Sequence, residues 1–459
     1  KKRKKAFPTE VEALNAFALK LEVDQVGEYH PFTPLALWIN LPANELADAW
    51  NKQIDTHKQE LERYEEAKQN ATFYADLRNQ KTLDAWYIEG NGPSPKVSPA
   101  GSFAIAGEGP NVLSGIYPRG VYSHLISDKH TGTLASPNHT AKGDWSYMRA
   151  VGLNGAIRMS ARNYPLEQGL HAYETAENGA MQWFPFKKYK FWNEDRVHYQ
   201  ISTAGDKPVN NVDGRSWFGV SEVLGGEVKM KELGTPLYSV LKEPTIVQDK
   251  ESLLEAYEVA LRASIQAWKK SKMSDAQAEL LSVFVRFNFL PNRLENLPDK
   301  LSDWVTQYRA LENEIPEPTR APTLLEGDVI DQPLLDRGDY KHAGDPVPRQ
   351  FLEVFANKRY TGKGSGRLEL ANDIAGPTNT LKSRVLVNRL WSYVFGRGIV
   401  STTDNFGRLG KKPTHPELLD YLALDFEKKD WSIKTALKQI VLSRTFRSAS
   451  STTEKIKET

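Results

Sequence analysis

No cysteine occurs among the 459 residues. That excludes disulfides, thiolate metal sites and a cysteine nucleophile, and it excludes covalent c-type haem attachment, which needs C-x-x-C-H. No apolar run reaches the roughly 18 residues that a membrane-spanning helix requires. The chain opens on charges, KKRKK, and no apolar signal-peptide core is visible behind them. Neither sign of charge dominates, with 60 Lys and Arg against 58 Asp and Glu. No global field therefore favours nucleic acid or an acidic membrane, and the basic start reads as a solvated terminus. Also missing are G-x-S-x-G, H-E-x-x-H, a Walker A loop and the Rossmann glycine fingerprint.

What is present divides along the chain. The length suits two to four domains with more than one core. Residues 44–79 read as one long amphipathic helix: Leu46, Trp50, Ile54, Leu61, Tyr64, Ala67 and Ala71 fall three, four or seven apart, and Asn44 is the candidate N-cap. Its length and charged flanks predict a helical hairpin or coiled-coil arm. His57 shares the apolar stripe and reads as packed, because no second ligand accompanies it. After a Gly- and Pro-rich stretch at 91–120, short strands alternate with turns from about 101 to 228, which argues an antiparallel β-sandwich or jelly roll. Within AIRMSAR, Ile157, Met159 and Ala161 point one way while Arg158, Ser160 and Arg162 point the other. Beyond residue 250 the period turns helical, with a capping box at Ser274 and Gln277. Prolines crowd 314–350, and helices return over 379–395, 414–429 and 432–446, the last capped by Ser432.

The expected fold class is multidomain α+β. A long N-terminal helix or hairpin (1–95) precedes a jelly-roll or galactose-binding-like sandwich (96–230). Helices with a Pro-rich connector (231–350) and an all-α domain (351–459) follow.

Candidate chemistry is sparse. MQWFPFKKYKFW at 181–192 gathers Trp183, Tyr189 and Trp192 among lysines. Aromatic faces beside polar donors suit stacking on sugar rings, whereas the competing structural reading places the same rings in the core. His124 and His130 flank a turn and complete the set of candidate ligand-binding residues. No cysteine or tight carboxylate pair completes a tetrahedral set around them, so no metal site is assigned.

The most informative stretch is 383–422, SRVLVNRLWSYVFGRGIVSTTDNFGRLGKKPTHPELLDYL. Gly396 and Gly398 suit a helix terminus. Thr414 and Glu417 have capping-box spacing for a helix starting at Thr414, with Pro416 in its first turn. Arg384, Asn388, Arg389, Trp391, Asp404, Asn405, Thr414 and Glu417 read as a structural motif. Within the stretch, His415 with either Asp404 or Asp420 as base is the candidate acid–base arrangement. This stretch, with DWSIKTALKQIVLSRTFRSAS after it, resembles the C-terminal domain of planctomycete-type secreted and surface proteins. In those proteins a domain of unknown function accompanies a planctomycete cytochrome c domain. IYPRGVYSHLISDKHTGTLASP, NYP (163–165), DRVHYQISTAGD, RSWFGVSEV and LLDRGDYKHAGDPVPR agree with the same family.

The resemblance implies an extracytoplasmic chain that is a piece of a longer precursor, trimmed at its ends. It carries no cofactor of its own, and haem c would sit on an upstream segment. The implied partners are a polysaccharide or cell-surface glycan and other segments of the precursor, not nucleic acid. The expected function is a binding or assembly module. Two alternatives stand beside it: a glycan-degrading or haem-dependent redox enzyme completed by other segments, and a structural surface protein.

Overall fold

The computed structural model describes residues 32, 34–35, 41–161, 172–174, 180–186, 189–206, 214–227, 229–233, 236–241, 246–316, 324, 326, 329–339, 342–355, 358–362 and 364–448. The basic start, residues 163–165, His171 and Asp213 lie outside them, as does the side chain of Tyr189. The chain divides into two compact units, 1–327 and 328–459.

Among the described elements of the first unit, α1 (Ala43–Gln69), β1 (Thr72–Asp76), the short α2 (Gln80–Leu83) and β2 (Tyr87–Gly90) come in that order. A separate hairpin follows, β3 (Ser102–Ile105) and β4 (Leu113–Tyr117). Then come β5 (Val121–Tyr122), β6 (Gly132–Ala135), β7 (His139–Thr140), β8 (Trp145–Leu153) and β9 (Ala156–Ala161). The remaining strands of this unit are β10 (Ala172–Glu174), β11 (Gln182–Pro185), β12 (Arg196–Ser202) and β13 (Trp217–Gly226). Four helices complete it: α3 (Pro236–Val240), α4 (Lys250–Lys269), α5 (Asp275–Arg286) and α6 (Asp299–Asn313).

The strands form two antiparallel sheets. One runs β1–β13–β8–β11 with β5 added on β13; the other runs β10–β9–β12–β6–β2 with β7 added on β12. Their facing sides enclose a core containing Met148, Ala150, Ile157, Met159, Ala161, Val197, Tyr199, Ile201, Phe218, Val220 and Val223. The alternation expected in AIRMSAR is therefore real over the described residues: Ile157, Met159 and Ala161 are buried between the sheets, and Arg158 bonds Gln200 on the neighbouring strand. The sandwich stands as expected.

The long helix is shorter than its periodicity predicts. It ends at Gln69, and Thr72–Asp76 becomes an edge strand paired with β13. Ala67 and Ala71 continue the helical stripe, but the β-branched and aromatic TFY finds a sheet edge, and pairing overrides local periodicity. Pro42, not Asn44, occupies the N-cap position. Nor is α1 a free arm. Leu46 and Trp50 are buried with α3, α4 and α5 in a helical core, while Tyr64, Ala67 and Ala71 pack on the outer face of the β8–β13 sheet. His57 is buried against Tyr238, as a packed residue of that stripe. Asp249 and Ser274 cap α4 and α5, the second through the predicted box with Gln277.

Among the described residues the second unit contains a small hairpin, β14 (Pro333–Leu335) with β15 (Ala343–Pro346), and then five α-helices. These are α7 (Arg367–Ala375), α8 (Leu381–Phe395), α9 (Pro416–Lys428), α10 (Ile433–Val441) and α11 (Arg444–Arg447). Val387, Ile399, Val400, Leu419, Leu422 and Phe426 form its core. Ser432 caps α10 as predicted. The predicted Thr414–Glu417 box is absent: α9 begins at Pro416 with His415 as N-cap and no side-chain cap bond. The Thr414 hydroxyl instead donates to the Ile399 carbonyl at 3.2 Å, fastening the loop to its own start.

Candidate binding site

β13 carries a bulge between Val220 and Glu222. A one-residue slip exchanges the faces of a strand. Phe218 and Val220 point into the sandwich before the bulge and Val223 does so after it, which leaves Glu222 and Leu224 on the outer face. Tyr147 and Arg149 of β8 and Trp183 of β11 share that face. The C-terminal half of α1, residues 230–232 and Glu279 of α5 cover it.

Glu222 is fully buried there. Lys68 Nζ donates to its Oε1 at 2.6 Å, and Arg78 Nη2 lies 3.0 Å from the same oxygen. Arg149 spans two carboxylates: Nη1 is 3.8 Å from Glu222 Oε2, and Nη2 is 3.1 Å from Glu279 Oε1. Burial works against the Arg149 charge, yet Glu279, Tyr64, Glu232 and Glu222 together hold its proton more tightly than usual. A buried guanidinium between carboxylates fixes how helices seat on a sheet, because removing either partner strands a charge.

Beside this network lies a cavity of about 350 Å³. Its walls are Tyr64, Ala67 and neighbouring residues of α1 on one side and Lys229–Leu233 on the other. Ala67, Met230 and Leu233 supply apolar surface; Glu60, Arg63, Glu66, Asn70 and Glu232 supply polar groups. Glu232 Oε1 accepts the backbone N–H of Trp183. Burial raises its pKa to about 7, against the pull of Arg149 and the Trp183 N–H, with Glu279 and Glu222 adding like-charge repulsion. Burial likewise pushes the Tyr64 phenol up to about 12. The volume falls in the range of small-ligand sites, and the lining pairs apolar surface with convergent polar groups.

The residues predicted for sugar stacking do not form one surface. Trp183 is 8% exposed, edge-on to Tyr147 and below Arg149, so its ring is part of the packed outer face. Trp192 packs against the inter-sheet core. His124 is buried and stacked on Trp217 at 3.7 Å, and burial lowers its pKa to about 3. His130 stands half-buried in the 127–130 turn. The physical reason is common to the tryptophans and His124: large flat rings gain most by leaving water. Among the described residues no group of three or more His, Asp or Glu could hold a metal ion.

In the second unit, Arg384 Nε donates to Asp420 at 2.6 Å. Asn388 is buried, donating to the Val400 carbonyl (2.9 Å) and accepting its N–H (2.8 Å). A Cβ on Gly398 would meet the Val400 oxygen at 2.5 Å and the Asn388 amide at 2.8 Å, which explains the second glycine of FGRG. Gly396, at φ +79°, ends α8 in the left-handed conformation. Trp391 packs on Phe395 with tilted rings, and Asn405 Oδ1 accepts the Gly407 N–H. Asp404 is exposed and pairs with Arg389 at 3.3 Å, while His415 contacts Thr414 at 3.0 Å. Asp404 and His415 share no hydrogen bond, and Glu417 makes no cap.

Sequence reasoning did not single out Arg149, Glu222 or Glu232. One signal was available: Glu222 and Arg149 are the lone acidic or basic residues of the otherwise apolar β13 and β8. Glu232 lies in a short irregular stretch without such a signal.

Residues 366–459 match the model of PSD1, a protein family of unknown function (DUF1553). No curated protein matches the chain. Among solved structures the chain is similar to TmCBM61 in complex with beta-1,4-galactotriose (17% identity, 34% of this chain and 99% of that one, TM-score 0.23). It is also similar to a mutant xylanase from Cellvibrio japonicus in complex with xylopentaose (12% identity, 34% and 28%, TM-score 0.18). A third is a family two carbohydrate esterase from the same organism (14% identity, 31% and 36%, TM-score 0.12). Likenesses at this level carry no functional weight.

Proposed function

We propose that this chain is the glycan-binding and assembly module of a larger extracytoplasmic protein, and that the cavity between α1 and residues 229–233 holds the sugar. The observation that carries the reading is the cavity itself. It offers apolar walls for the C–H face of a pyranose ring and a ring of carboxyl, guanidinium, amide and phenol groups for its hydroxyls. It is wide enough for one or two sugar units and sits on a sandwich face stiffened by buried ion pairs. Resemblance to planctomycete-type secreted proteins supports an extracytoplasmic setting, and on this reading any haem would belong to other segments of the same precursor. With no cysteine, this chain has no covalent haem attachment of its own.

The test is retention on a panel of polysaccharides by wild type and by Glu66→Trp, an exposed wall position where an indole would fill the cavity. Retention of wild type at micromolar to millimolar affinity and its loss in the variant, with unchanged melting, support the module. No retention on any glycan removes it.

One observation favours a second reading. Glu232, titrating near neutrality, has the property of a general acid for glycoside cleavage. Release of reducing ends by wild type, abolished in Glu232→Gln, would establish an enzyme; binding without release leaves the module.

A further inference from the structure

The charges around the cavity select among sugars, granted that a sugar is what it holds. Glu60 is engaged in an interaction of its own. Lys229 lies over the Trp145 ring, its ammonium 5.7 Å from the centroid. Arg63 and Lys231, both exposed, make no side-chain hydrogen bond or ion pair with any described residue. Glu66 is likewise unengaged. Glu232 offers one oxygen, its other being held by the Trp183 N–H. Three cations thus face the cavity against three carboxyls, Glu60, Glu66 and Glu232, and of the cations Arg63 and Lys231 are the two without a partner among the described residues. Burial, with Glu279 and Glu222 behind it, raises the Glu232 carboxyl to about 7, so that it carries less than a full charge at neutral pH.

We propose that the cavity takes a uronic-acid unit of an acidic polysaccharide, its carboxylate on Arg63 and Lys231 and its ring hydroxyls on Glu232 and Asn70. A guanidinium presents two parallel N–H donors that match a carboxylate, which a neutral hexose lacks. A neutral sugar leaves both rim cations without a charged partner, and an amino sugar meets them as a like charge. In its protonated form Glu232 can donate a hydrogen bond to the ligand without repelling its charge.

The experiment is calorimetric titration of the full chain with an oligogalacturonate, an oligoglucuronate and a neutral β-1,4-linked galacto-oligosaccharide of equal length, at low and high salt. At least one uronate should bind tenfold or more tighter than the neutral chain, and that preference should shrink in 0.5 M salt. Arg63→Ala with Lys231→Ala should abolish the preference, bringing uronate binding down to no better than that of the neutral chain, with the melting temperature unchanged. Neutral binding that equals or exceeds uronate binding overturns the uronate assignment and leaves the glycan reading standing. A preference that survives the double variant also overturns it. Binding of no sugar overturns both.

Discussion

Replacing Glu232 by Gln isolates the most perturbed carboxyl of the cavity. Gln keeps the oxygen that accepts the Trp183 N–H and removes the charge. The native pKa is raised from the ordinary 4.5 to about 7, chiefly by burial. Each pH unit between these values is worth about 1.4 kcal/mol, so keeping Glu232 ionised in the fold costs about 3 kcal/mol. A raised carboxyl binds its proton more tightly in the native than in the unfolded state. Its contribution is therefore fully present below about pH 4.5 and lost as pH rises through about 7. The groups facing it are Arg149 of β8, Glu222 of β13, Glu279 of α5 and Tyr64 of α1. All remain in the variant, so the difference between the two proteins reports Glu232. Urea denaturation from pH 4 to pH 8.5 should show a stability difference, variant minus wild type, that grows by about 3 kcal/mol between pH 4.5 and 8. A difference independent of pH, or one that falls as pH rises, refutes the reasoning.

Arg149→Met should destabilise the first unit by about 3 kcal/mol in urea, because it leaves the half-buried Glu279 without its cation and the buried Glu222 with only Lys68 and Arg78. Trp183→Ala should cost about 3–5 kcal/mol by the same measurement, as expected of a packed ring. Unchanged stability with lost sugar binding would instead make Trp183 an exposed platform. In the second unit, Asn388→Ala should lower unfolding free energy by about 2–3 kcal/mol through the two lost bonds to Val400. Asp404→Ala and His415→Ala, both at exposed positions, should each stay within about 0.5 kcal/mol of wild type in thermal melts.

The sequence made the sandwich legible because its strands alternate: Ile157, Met159 and Ala161 announce one buried face. Helix caps at Ser274 and Ser432 were equally legible, since capping is local chemistry within four residues. The end of α1 was not, because Ala67 and Ala71 extend the stripe while the strand Thr72–Asp76 exists only through its partner β13. Thr414 misled for a related reason: its hydroxyl had a carbonyl fifteen residues upstream as a competing partner. The candidate site was the least legible part. Its geometry depends on a bulge that re-aims Glu222, on the helix α1 ahead of the sandwich and on residues 229–233 just after its last strand. None of these juxtapositions is written in spacing.

The most direct test of a sugar-binding cavity between α1 and residues 229–233 is hydrogen–deuterium exchange with and without a saturating oligosaccharide. The account predicts ligand protection confined to peptides spanning 60–70 and 229–233. Protection located elsewhere in the chain, with these two segments unchanged, would contradict it.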